Sequence, residues 1–191
     1  MGNQVVARVK KTTGVEPAAL PFDAFPAYSR LIQAQPYRHR PLANLFGVIV
    51  TETLISSTLS RIPHDKTVHP LVRWYTAEHA VDEGRHHAYF AQVLHHTWPK
   101  LTKSQQLAMG RLVPKLIKTF LSPDLASISA DLRSVGCGVP EIDQIIGECV
   151  TTVAAVDGIR QAANQSSNHF RRAGALEVGS ICDAFEDEGL L

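Results

Sequence analysis

Between Pro70 and Pro99 the chain runs without a proline and with a single glycine, Gly84, over a length that no ordinary strand reaches. Such a stretch has to be a long helix. The spacing predicts that it opens near Thr67 to Pro70, with Thr67 as the capping residue and Pro70 in the first turn, and closes at about Trp98. Each helical residue advances by about 100°, so His79, Glu83 and His86 fall within an arc of roughly 60°. Val72 and Tyr75 before them, and Phe90 and Val93 after them, continue the same stripe. Three ligand-type side chains are therefore expected on the core-facing side of this helix.

The same punctuation sets out the rest of the chain. A helix is expected from Pro41 to about Arg61, ended by Pro63, and another over residues 104–121 with a kink at Pro114. A short helix follows at 123–134, then the Gly136-Cys137-Gly138 turn, then one long helix from Pro140 to about Arg172 with Gly174 as its terminator. Ile181 to Leu191 has room for one or two further turns. Residues 1–40 carry Pro17, Pro21, Pro26 and Pro36 and read as an irregular arm with one short helix around Ala27 to Ala34. No stretch alternates as strands do, so the fold class is all-α: an N-terminal arm, residues 1–40, and a helical domain, residues 41–191.

Composition excludes several kinds of partner. With 19 basic and 18 acidic residues the formal charge is +1, so no global field draws the chain to nucleic acid or to an anionic membrane. The Phe46 to Val50 run is soon interrupted by Glu52 and is too short to span a bilayer, and the N-terminus lacks the apolar core of a signal peptide; the expectation is a cytoplasmic protein. Cys137, Cys149 and Cys182 are too few and too scattered for a disulfide framework or a zinc site.

Glu52 sits among Leu45, Val48, Ile49, Ile55 and Leu59 on the first long helix, so it too interrupts an apolar stripe. An ionised carboxylate taken out of water without compensation costs several kcal/mol, so Glu52 and Glu83 need positive charge nearby. Arg73 or Arg85 offers one source, and a lone core histidine is often only a hydrogen-bonded structural residue. A divalent metal answers all four side chains at once, and Glu-x-x-His is the spacing used by carboxylate-bridged dimetal sites in helical bundles. The expected ligands are Glu52, His79, Glu83 and His86. Asp82 and Arg85 flank them as candidates for support of a ligand histidine. His87 lies about 100° round from His86 and is not expected to be a ligand. His95 and His96 suit the helix's terminal carbonyls, and Glu78 its outer surface. Arg160, on the last long helix, has the planar fork for a substrate carboxylate or for an ion pair with Asp157.

The stretch Glu52-Thr53-Leu54-Ile55, followed by His79-Ala80-Val81-Asp82-Glu83-Gly84-Arg85-His86-His87 and Phe90, resembles the second metal-binding half of the p-aminobenzoate N-oxygenase family of ferritin-like non-haem diiron enzymes. Trp98-Pro99, Leu112-Val113-Pro114, Phe120-Leu121-Ser122-Pro123-Asp124 and the closing Ala184 to Leu191 extend the resemblance over residues 41–191. It implies a ferritin-like bundle, iron carried by Glu52, His79, Glu83 and His86, O2 as co-substrate, an electron donor, and a small aryl amine oxidised at nitrogen in secondary metabolism. Manganese accepts similar oxygen and nitrogen ligands. The family also carries an earlier Glu helix and an earlier Glu-x-x-His helix, and residues 1–40 offer only Glu16 and His39. A fragment, a homodimer, a partner chain supplying the missing ligands, or a non-catalytic metal-binding subunit would each account for the shortfall.

Overall fold

A computed structural model describes residues 7–8, 10–12, 14, 24–59, 62–150 and 152–191, and among them there are helices and no strands. Eight α-helices carry the fold: α1 (Ala24–Gln33), α2 (Arg40–Leu59), α3 (Pro70–Thr97), α4 (Lys103–Leu121), α5 (Leu125–Ser134), α6 (Val139–Val150), α7 (Val153–Arg172) and α8 (Gly179–Asp187). The architecture is an all-α, ferritin-like bundle with α2 at its centre, packed against α3, α4 and α7. Phe46, Ile49, Val50 and Leu54 of α2 are buried against Leu94, Met109, Leu116, Phe170 and Phe185. The Phe46 ring stands 5.9 Å from Trp98 and 6.1 Å from Phe170, offset contacts of the kind aromatic cores favour.

The helix starts follow local chemistry. Thr102 and Gln105 form a reciprocal capping box at α4, with Gln105 N–H donating to Thr102 Oγ1 at 3.3 Å and Thr102 N–H donating to Gln105 Oε1 at 2.9 Å. Asp124 caps α5 through the Ser127 N–H. At α3 the cap is His69, whose Nδ1 accepts from Leu71 N–H at 3.2 Å, and not Thr67, which is held instead by Asp65. Pro114 is buried inside α4, and the helix continues through it to Leu121.

The extent of one helix is corrected. The long helix expected from Pro140 to Arg172 is two helices. Val150, Thr151, Thr152 and Val153 are consecutive β-branched residues, which weaken a helix, and Thr152 is extended with its hydroxyl accepting from Ala155 N–H to start α7. α7 does end as expected, at Gly174, whose φ of 81° suits glycine. In addition, α1 packs on α2 and α4: the Tyr28 hydroxyl donates to the Gly47 carbonyl at 2.5 Å, and burial pushes the phenol's pKa up.

Two glycines make opposite predictions. A Cβ on Gly110 would come within 2.9 Å of three side-chain carbons of the fully buried Ile181, so Gly110→Ala is expected to destabilise by about 1–3 kcal/mol through overpacking. A Cβ on Gly84 meets nothing, and in the middle of α3 Gly84→Ala should stabilise by roughly 0.5–1 kcal/mol. Thermal melts of the two variants check both signs.

Candidate metal centre

Glu52 on α2 and Glu83 and His86 on α3 meet where these helices pack. Each offers one ligand atom, and the three atoms lie within 4.8 Å of one another. His86 Nδ1 is 3.5 Å from Glu52 Oε2 and 3.6 Å from Glu83 Oε2. The other Glu83 oxygen, Oε1, is 3.3 Å from His79 Nε2. Glu83 therefore stands between the two imidazoles, and at 7% exposure it is the most deeply placed of the four. His79 and His86 are half-exposed at the rim. The α2 wall is fixed from behind by Thr53, whose buried hydroxyl lies 2.8 Å from the Ile49 carbonyl and 2.9 Å from Ser166 Oγ on α7.

Burial, then the adjacent Glu83 carboxylate, raises the pKa of Glu52, with a Glu83 hydrogen bond acting the same way and His86 opposing. Two acids side by side thus favour holding a proton. Arg85 does not relieve them: its guanidinium is 2.9 Å from Asp82, in an exposed pair on the outside of α3. Two carboxylates and an imidazole converging between α2 and α3 form a donor set suited to a divalent cation, and the residues fit iron or manganese.

The acidic pair also lines a cavity of about 510 Å³, together with Phe25, Thr51, Ile55 and Phe120. Its walls are apolar and aromatic apart from Thr51 and the two acids. Sequence reasoning did not anticipate Phe25 or Phe120 here, because α1 and the end of α4 reach the site only through tertiary packing. Asp82 makes no described contact with a ligand imidazole. Arg160 is turned to Asp157 at 3.6 Å and to the Gly189 carbonyl at 3.4 Å, which is the ion pair of the two uses expected of it. His95 and His96 also differ from expectation: His96 meets Lys100 and His95 faces His169. The three cysteines are free thiols.

Two carboxylates and an imidazole gathered between neighbouring helices of an all-α bundle are the arrangement from which ferritin-like carboxylate metal sites are built. The sequence pattern of p-aminobenzoate N-oxygenase AurF matches residues 1–174, and the chain belongs to that family. The match takes in the N-terminal residues and stops at the end of α7, short of α8, a different span from the 41–191 resemblance of the motifs. No curated protein and no solved structure matches the chain. No helix among the described residues is long and apolar enough to cross a membrane.

Proposed function

We propose that the chain is an iron-dependent oxygenase acting on the nitrogen of a small aryl amine, with Glu52, Glu83 and His86 as metal ligands and His79 completing the set from the rim. The observation that carries this reading is the convergence of those three ligand atoms beside a largely apolar cavity that Glu52 and Glu83 line. Iron bound there supplies activation of O2 and transfer of oxygen to the amine, with electrons from an external donor. Phe25 and Phe120 offer aromatic faces to the flat ring, while Glu52 and Glu83 balance the metal's charge. Manganese is the alternative metal. A place in secondary metabolism comes from the family alone.

The described donors amount to half of the usual set of a dimetal bundle. The reading therefore has a second copy of this chain, or a partner chain, supply the rest. The half-exposed imidazoles are flanked on α3 by exposed Leu71, Trp74, Tyr75 and Tyr89, an apolar edge for such a contact. That same shortfall favours a second reading, a metal-binding subunit without oxygenase activity.

Single turnover separates the two readings. The reduced, iron-loaded protein is mixed with p-aminobenzoate and O2, and an N-oxidised product is expected; iron retention without any oxygen-dependent product would favour the second reading. Phe120→Trp, which fills the cavity, is expected to lower product at least about tenfold while iron stays bound. Loss of iron in that variant would show that Phe120 supports the metal centre and not the substrate.

A further inference from the structure

Between α3 and α7, a second group of ligand-type side chains converges. His87 of α3 faces His169 of α7, with Nε2 to Nε2 at 2.9 Å and ring centroids 4.9 Å apart. The side-chain amide of Gln165, one turn earlier on α7, lies 3.3 Å from the same His87 Nε2. The His95 ring stands edge-on to His169 at 6.0 Å. We infer that His87 and His169 form a second metal site, separate from the acidic centre, that takes a zinc-like divalent transition ion through their Nε2 atoms with the Gln165 amide beside them.

The convergence is more than a hydrogen bond uses. An imidazole Nε2 has either one N–H or one lone pair, yet His87 Nε2 has two polar partners aimed at it. A cation accepts several donors at one point where a proton is shared between two. The amide can present its oxygen by a flip, since its oxygen and nitrogen are interchangeable in shape. Zinc–nitrogen bonds of 2.0–2.1 Å in a tetrahedral site put two ligand nitrogens roughly 3.4 Å apart. The present 2.9 Å then has to open by only about 0.5 Å, within the reach of side-chain rotation.

The chemistry of the pair agrees. Imidazole must be uncharged to bind a metal, and borderline ions such as zinc, copper and nickel favour it. Burial first, then His87, His95 and Arg172, hold the pKa of His169 down to about 4. His169 thus stays a neutral ligand near neutral pH. The acidic centre draws on carboxylates and this pair on imidazoles, so the two sites differ in preferred ion, and failure of one assignment leaves the other standing.

The test uses tag-free protein, because a polyhistidine tag would bind zinc itself. Zinc uptake is measured by equilibrium dialysis in a Glu83→Ala background, with and without His169→Gln or His87→Gln. Glu83→Ala is expected to retain one zinc ion per chain, and each histidine change to weaken it at least about tenfold with helix content unchanged. Absence of zinc from the Glu83→Ala protein, or unaltered binding after both histidine substitutions, would overturn the site. Should the substituted chains not fold, 15N spectra of the otherwise unmodified protein decide it. Zinc is then expected to fix both rings as Nδ1–H tautomers with metal on Nε2, and spectra indifferent to zinc would overturn it equally.

Discussion

Replacing Glu83 by alanine is expected to remove iron from the acidic centre altogether. Glu83 is in contact with both imidazoles and with Glu52, so its loss takes away a ligand that touches each of the other three. The drop in affinity should exceed the roughly 10–100-fold that loss of an outer partner of a metal ligand costs. His86→Ala should behave in the same way, since His86 Nδ1 reaches both acids. Glu78, exposed on the same helix, is the control, and Glu78→Gln should keep its iron. Iron analysis after anaerobic loading checks the series, and equal loss in all three variants would refute this assignment of ligands.

The second large effect is one of sign. Because the pKa of Glu52 is raised in the folded protein, the native state holds that proton more tightly than the unfolded chain does. The stability this provides is fully present below the unfolded pKa and is lost as pH rises through the folded one. The metal-free protein should therefore lose stability between mildly acidic and neutral pH. Glu52→Gln removes the titrating group and its repulsion with Glu83, so it should melt several degrees higher than the metal-free parent at neutral pH and show a flatter pH profile in that window. Added iron should reverse the order, because it stabilises only the chain that binds it. Melts in chelator and in iron, across that pH range, check both halves; a Glu52→Gln protein less stable than the parent in chelator would contradict the account.

Much of this was legible in the sequence for local reasons. Proline spacing gives α2, α3 and α4 close to their observed limits, and the 100° step alone brings Glu83 and His86 to one face. The same step fixes only direction along one helix. It could not show that His79 faces Glu83 and not Glu52, or that Val48, counted in the apolar stripe of α2, is exposed. The break between α6 and α7 was readable in principle from Val150 to Val153, since β-branched runs and a Thr cap both oppose helix continuation. The cavity walls Phe25 and Phe120 and the pairing of His87 with His169 had no such signal. Each joins residues far apart in the chain through packing, which a single helical period cannot report.

The central claim is that Glu52, Glu83 and His86 hold iron in an assembly that completes the site. Its most direct measurement is the iron-to-chain ratio determined together with molecular mass, by metal analysis across a sedimentation or size-exclusion profile of the anaerobically loaded protein. The account predicts that iron travels with a species larger than one chain, and that Glu52→Gln and Glu83→Ala remove it. A folded monomer holding two irons would contradict the assembly. A folded chain that takes up no iron, or that binds as much iron after both substitutions, would contradict the centre itself.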